Sequence, residues 1–426
     1  MHRKNKIWAI SSLLLALAGV SQPCARADDW PGLLGPFRTG HSASQIALPK
    51  SLQSPKLVLK WKLKAGQGYA GLAVADRQAF LYDRRQALER VTCVDAFSGK
   101  SLWEKTIPAN YNGGMDPDKG PRCVPTVTDR FVVLYSAAGD LTVLAKADGA
   151  ILWTRNLRKD SKADDGYFGA GSTPLVIDDR VVVNVGSKSA GIVCVSLSDG
   201  KELWTATNYE ASYASPIPWS SDDPSGSPTT VVIPTRYKTV GLNPLSGKTL
   251  WETPFGQRGP TVNAATPIPC NSGELFLTAS YDIGNLTIRP NDSPEPTIIH
   301  RGFELSSQYA TPVYIGGWIY GSDGREDRGG AVYKCLNPLT GKIAWEQTGM
   351  PICHSIAINA SQLLLVGIDG SLCLIQPTPD AFTVLWKSSF GKGTYRALPA
   401  LANNHLFVRS SSGNEGQDCW EAYELK

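Results

Sequence analysis

Charge is scarce in this chain: Asp, Glu, Lys and Arg make up 19% of 426 residues, against roughly a quarter in an ordinary soluble protein. Histidine occurs five times and methionine three times. There is no Cys-x-x-Cys, His-Glu-x-x-His, Gly-x-Ser-x-Gly or phosphate-cradling glycine loop. Zinc, hydrolase and kinase chemistry therefore have no local signature, and such a site would have to be assembled from distant loops. Past residue 20 no apolar run approaches the roughly 20 residues of a spanning helix, which excludes a polytopic helical membrane protein. No sustained helical period occurs, which excludes a coiled coil. A hydrophobic content of 42% excludes disorder. What the chain does have is 41 Gly, 29 Pro, 12 Trp and 15 Tyr, the composition of many short strands joined by turns.

The first 27 residues form a separate unit. Arg3, Lys4 and Lys6 precede an apolar run from Ile7 to Val20, and Ala25-Arg26-Ala27 supplies a small-x-small cleavage site. This is the pattern of a secretory signal, with cleavage expected before Asp28 and an exported, soluble product. Cys24 follows Gln22-Pro23, a poor approach to a lipidated cysteine. The leader carries four basic residues and no acid, so its removal balances the 42 basic side chains against the 38 acidic ones. A neutral chain lacks the basic stripe that nucleic acid requires, and nucleic-acid binding is not expected.

A repeat runs through the rest. Trp61, Trp103, Trp153, Trp204, Trp251, Trp345 and Trp386 recur at intervals of about 41 to 51 residues, with one double gap whose marker is lost near His300-Arg301. Most close a shared phrase, as in Asp95-Ala-Phe-Ser-Gly99-Lys-Ser-Leu-Trp103 and Asn243-Pro-Leu-Ser-Gly247-Lys-Thr-Leu-Trp251. Asp or Asn, Ser or Thr and Gly supply turn chemistry, and Lys-x-Leu-Trp opens the next strand. Two apolar runs and a Pro-containing segment precede each turn. Each period thus holds four short strands, the size of a propeller blade. The chain is expected to be all-β: an eight-bladed β-propeller of four-stranded blades, with residues 28–426 forming one domain. The strand around Leu57–Leu63 joins the C-terminal strands to close the ring, which removes exposed sheet edges.

The Trp phrase, together with Asp29-Trp-Pro-Gly-Leu-Leu-Gly-Pro-Phe-Arg-Thr-Gly-His41, resembles exported bacterial proteins with pyrroloquinoline-quinone-like (PQQ-like) β-propeller repeats. That superfamily includes quinoprotein alcohol and glucose dehydrogenases and the scaffold lipoprotein of outer-membrane β-barrel assembly. The resemblance implies a periplasmic or envelope protein, either a non-catalytic scaffold or a PQQ-dependent alcohol or sugar oxidoreductase. The adjacent Cys-Cys pair of the alcohol dehydrogenases is missing, no calcium-ligand motif matches, and the scaffold's lipidated cysteine is not matched either.

Gly66-Gln-Gly68-Tyr-Ala-Gly71 matches the dinucleotide fingerprint, but strand-like Leu72-Ala-Val follows rather than a helix, so it reads as the lead-in to a blade. Eight cysteines remain after processing in an oxidising compartment. Cys93, Cys194, Cys335 and Cys373 take one repeat position and read as small buried hydrophobes. Cys353–Cys373 and Cys93–Cys123 remain as alternative bridges. Because the first strand of each blade lines the channel, the lead-in residues Tyr69, Arg122, Ser172, Tyr213, Asn263, Tyr309, His354 and Arg396 face one axis. Arg supplies bidentate donors and Tyr a stacking face with a hydroxyl, which suits a small anionic or quinone-like ligand. PQQ with calcium is the cofactor this implies, beside Arg122 and Arg396. Envelope proteins are the other expected partners, for a protein that is itself a monomer. The polar loops Pro218–Pro228 and Arg289–Thr297 are candidate contact surfaces.

Overall fold

A repeated four-strand unit with apolar second and third strands can bury both of its faces only by stacking on like units, and a ring of such units leaves no end uncovered. The computed structural model shows that ring. It describes residues 29–43, 56–164, 166–220, 229–259, 261–270, 273–412 and 417–426. The leader, Cys24 and residues 221–228 of the first candidate loop lie outside them. Eight antiparallel four-stranded sheets form the blades: blade 1 at 73–108, then 126–156, 175–206, 217–254, 268–302, 313–350, 353–389 and blade 8 at 400–425. The described residues hold only two helical turns, Leu157–Asp160 and Glu326–Arg328.

Burial falls from the axis outward. Ala73–Ala75 is fully buried, whereas the outermost strand of the same blade, Ser101–Pro108, is mostly exposed. Middle strands such as Arg180–Asn184 and Ile192–Ser196 carry continuous Val and Ile because both faces meet a neighbouring blade. The ring closes as expected. Leu57–Lys64 is the outermost strand of blade 8 and pairs antiparallel with Cys419–Leu425, from Leu57 opposite Leu425 to Lys64 opposite Cys419.

The structure explains the repeated phrase. Four marker indoles reach to the next blade and lie over its turn glycine: Trp61 over Gly99, Trp103 over Gly149, Trp153 over Gly200 and Trp204 over Gly247. These glycines have φ near +70°, where a side chain is already disfavoured, and a Cβ would stand 2.5–2.8 Å from the indole. The indole N–H donates to a carbonyl of that same turn, to Ala96, Lys146, Leu197 and Pro244 at 2.8–3.1 Å. Trp345 does likewise to Thr378. Asp95 Oδ1 and Asn243 Oδ1 accept the turn's own N–H groups. Turn, glycine and tryptophan form one inter-blade joint.

Two joints differ. His300 occupies the lost Trp position, opposite Thr287, and packs on Gly341, while the Thr287 hydroxyl donates to the Pro338 carbonyl at 2.5 Å. Inside blade 5 the 290–296 connection replaces the usual turn between third and fourth strands, its Pro294 carbonyl accepting from Glu252 N of blade 4 at 2.9 Å. The buried Trp251 indole N–H is left without a hydrogen-bond partner.

Residues 29–43 cross the axis at the end of the ring where the inner strands finish. Trp30 pairs with Val74, the Pro31 carbonyl accepts from Val127, and the Gly40 carbonyl accepts from Ala357. The buried Arg38 guanidinium donates to the carbonyls of Thr173 and Pro174 at 2.8 and 2.9 Å. Burial pushes its pKa down to about 9, so it stays cationic at neutral pH. Blades 1, 2, 3 and 7 are thereby tied by one strap, and His41 adds blade 6 through the Tyr314 carbonyl at 3.0 Å.

The cysteines require two corrections. Cys93, Cys194 and Cys335 stand opposite Trp103, Trp204 and Trp345, but Leu374 stands opposite Trp386 and Cys373 opposite Lys387. The turn after blade 7's third strand has no glycine, so counting back from Pro379 shifts the register by one. Both bridges are also ruled out: all eight described cysteines are free and buried. Cys353 and Cys373 sit on strands separated by Gln362–Gly367, about 9.6 Å apart across two strand spacings, beyond disulfide reach. Cys93 and Cys123 belong to different core clusters.

Candidate functional site: the central funnel

The lead-in segments converge at the end of the axis opposite the strap, around a cavity of about 220 Å³. Six of the eight lead-in residues line it: Tyr69, Arg122, Tyr213, Tyr309, His354 and Arg396. Asn263 and Ser172 do not. Neighbouring side chains alternate in direction along extended backbone, so Val262 and Ala264 face the cavity while Asn263 Nδ2 donates to the carbonyls of Arg236 and Phe255. Ser172 Oγ donates to the Ala214 carbonyl. Gly66–Gly71 is a lead-in as expected, with the strand Ala73–Ala75 following it.

The cations are not free. Arg396 Nε lies 2.9 Å from Glu326 Oε2, and its guanidinium is held between the Tyr69 ring at 4.8 Å and the Tyr309 ring at 5.5 Å. Burial disfavours that charge, but Glu326 and the two phenols outweigh it and raise the Arg396 pKa. Arg122 pairs with Asp118 Oδ1 at 3.1 Å, donates to the carbonyls of Asp118 and Gly120, and lies 5.6 Å from the Tyr69 ring. Tyr69 donates to Asp116 at 3.1–3.2 Å, and Tyr309 donates to Glu326 at 2.8 Å. Burial, then Asp116, pushes the Tyr69 hydroxyl up to about 12. His354 is 3% exposed, and burial lowers its pKa to about 4.

Sequence reasoning missed Asp116, Phe168, Tyr281 and Gln308 in the walls, and Glu326 behind them. They come from connections between blades or from a hairpin, outside the repeat. The one available signal was the connection at 109–125, a long polar insertion that carries Asp116 and Asp118. Leu33, from the strap, lines the cavity too, so the funnel is blind.

PQQ with calcium would require free cations for an anionic quinone and a carboxylate set for the metal. Both guanidiniums are engaged by wall carboxylates, and among the described residues no three His, Cys, Asp or Glu side chains group to hold a metal ion. As placed, these residues do not fit that cofactor.

No curated protein matches the chain. The family described as outer membrane protein assembly factor BamB matches over residues 53–231 and 89–325. Among solved structures, BamB from Moraxella catarrhalis superposes with a TM-score of 0.61 at 17% identity, covering 87% of this chain and 98% of that one. Quinohemoprotein alcohol dehydrogenase from Comamonas testosteroni gives 0.66 at 12% identity, covering 95% and 82%. A europium-containing methanol dehydrogenase gives 0.64 at 12%, covering 94% and 98%. At these identities the likeness is one of fold.

Proposed function

The chain belongs to the family described as outer membrane protein assembly factor BamB, and from that we propose that it is an exported, non-catalytic scaffold of the cell envelope that binds protein partners in outer-membrane protein assembly. The carrying observation is the family match, which extends over more than half of the chain. The geometry agrees with a rigid binding platform: strap, closing strand and Trp joints fix the ring, while the funnel-side loops present Tyr and Arg together. Arg236 stacks on Tyr167 and Tyr237 at 5.3 Å, and Arg325 on Tyr281 at 4.1 Å. Tyr and Arg are the residue types that anchor protein interfaces. Among the described residues no helix is long and apolar enough to cross a membrane, so attachment to the envelope would run through partners or the leader.

Deleting the gene in its host and measuring folded outer-membrane barrels tests this reading. A drop in barrel content, restored by the wild-type chain and not by one with Arg236→Ala and Arg325→Ala, is expected. Unchanged barrel content would sink the assembly role. Calorimetric titration with PQQ and calcium addresses the oxidoreductase alternative. Saturable binding lost in Arg396→Ala would replace the scaffold reading.

A further inference from the structure

The blind funnel has a chemistry of its own, separate from any protein partner. Its walls already contain both signs of charge, each satisfied internally: Arg396 by Glu326, Arg122 by Asp118. An incoming anion would face Asp116 and Glu326 at close range, and an incoming cation would face the two guanidiniums. Neither sign can enter without meeting a wall group of its own sign, which favours an uncharged ligand.

The polar groups still open for bonding are of both kinds: the Arg122 Nε–H donor has no hydrogen-bond partner, and two acceptors are open as well. The carbonyl of Arg396 can only accept, so the 3.0 Å contact places the proton on His354 Nε2. Nδ1 then carries a lone pair, and this buried atom has no hydrogen-bond partner. A buried polar atom without a partner costs about 1–3 kcal/mol, and a ligand hydroxyl would recover it. Asp116 takes only the Tyr69 hydroxyl and the Asp118 N–H, whereas a carboxylate offers about four lone-pair sites. The remaining wall is aromatic and apolar: Phe168, Tyr213 and Tyr281 join Tyr69 and Tyr309 around the opening, with Leu33 as floor. Phe168 and Tyr213 meet edge to face at 5.7 Å, and the Tyr213 hydroxyl accepts from Phe168 N, so this part of the wall is preformed. The cavity, about 220 Å³, is smaller than the roughly 300–1,000 Å³ of drug-sized pockets and has room for a single ring.

We propose that the funnel binds one uncharged, hydroxyl-rich ring, a saccharide residue, with Asp116 and His354 Nδ1 accepting its hydroxyls and the tyrosine faces packing on its C–H surface. Small size, guanidiniums already paired with carboxylates, open donors and acceptors side by side, and aromatic faces together favour this class over a carboxylated quinone or an ammonium ligand. The inference stands apart from the scaffold reading: a protein that fails in barrel assembly can still bind sugar, and the reverse.

The test is saturation-transfer-difference NMR and calorimetry on the chain from Asp28 to Lys426, with glucose, galactose and N-acetylglucosamine as probes and choline and PQQ as opposite-charge controls. At least one sugar is expected to bind at millimolar affinity. Asp116→Asn and His354→Phe should each weaken it by about tenfold, the loss of one buried hydrogen bond. Asp116 lies at the half-exposed rim, so its variant reports even if His354→Phe does not fold. Silence from all three sugars would overturn the proposal. So would sugar binding unaffected by Asp116→Asn in a folded protein, or saturable binding of PQQ or choline without any sugar.

Discussion

His354 and Glu89 are buried titratable side chains of opposite sense. The neutral His354 refuses a proton between its ordinary pKa of 6.5 and about 4, while the unfolded chain takes it up. Its contribution to stability is complete above pH 6.5 and is lost as pH falls toward 4. His41, also buried and lowered, acts in the same direction. Glu89, bonded by the Tyr82 hydroxyl, is pushed up from 4.5 to about 7 by burial. Its contribution is complete below 4.5 and is lost as pH rises to 7. Each slope is at most about 1.4 kcal/mol per pH unit, and in the wild type they oppose each other. Urea midpoints should therefore change little between pH 4.5 and 6.5. Glu89→Gln should make stability rise with pH across that window, and His354→Gln should shift the slope the other way, relative to the wild type. Parallel profiles for the two variants would defeat this account. At the same scale, Gly200→Ala and Gly349→Ala both place a side chain at φ near +71°, but only Gly200 lies against an indole; nothing stands within 4 Å of Gly349. Backbone strain of about 1–2 kcal/mol is common to both. A further 1–3 kcal/mol of overpacking is expected for Gly200 alone, and equal unfolding midpoints would mean the indole yields freely.

The blade joint is where sequence and structure agree most closely. Trp, turn Gly and Asx were legible because one geometric demand recurs at several interfaces, and recurrence is readable from a single chain. His300 was legible only as a gap. Its replacement, with the Thr287 hydroxyl on Pro338 and His300 Nε2 at 3.2 Å from Glu304, uses residue types that carry no marker. Cys373 was misplaced for the same reason: without a glycine in the turn, nothing fixed the count. His300→Trp should recreate the standard joint and raise stability by about 1 kcal/mol, read as an upward shift in melting temperature. A fall would show that the Thr287–His300–Glu304 arrangement has become a joint in its own right. Trp61→Ala in the closing strand removes an indole that is 6% exposed, bonded to Ala96 and 6.0 Å from Phe407. A loss of roughly 3–5 kcal/mol is expected for truncating such a side chain. A loss below 1 kcal/mol in denaturant unfolding would mean that the ring does not depend on this closure.

Over the whole molecule, the eight described cysteines are free and buried, although the chain is expected in an oxidising compartment. Burial pushes the thiols of Cys93, Cys123, Cys194 and Cys335 up to about 12, which suppresses the reactive thiolate. Native protein should be silent to a thiol reagent, and unfolded protein should release all eight at once. Any fast-reacting thiol in the folded state would contradict the burial. The ring as a whole was legible because it is periodic. The funnel was legible in position and not in character: the lead-ins named Arg122 and Arg396, while the carboxylates that cancel them, Asp118 and Glu326, lie in connections that follow no period.

The strap and the closing strand also impose an order of events. Residues 29–43 rest on blades 1, 2, 3, 6 and 7, and Leu57–Lys64 waits for Cys419–Leu425. A chain that emerges N-terminus first must leave Leu57–Lys64 idle until nearly its last residues arrive, and the far end of the strap, at Gly40 and His41, must wait for blades 6 and 7. One of the first strands made is thus the last to be placed, and pairings across more than 350 positions, Leu57 with Leu425 among them, make folding slow. Through that interval a chain with an unclosed ring would present open sheet edges to whatever holdase meets it.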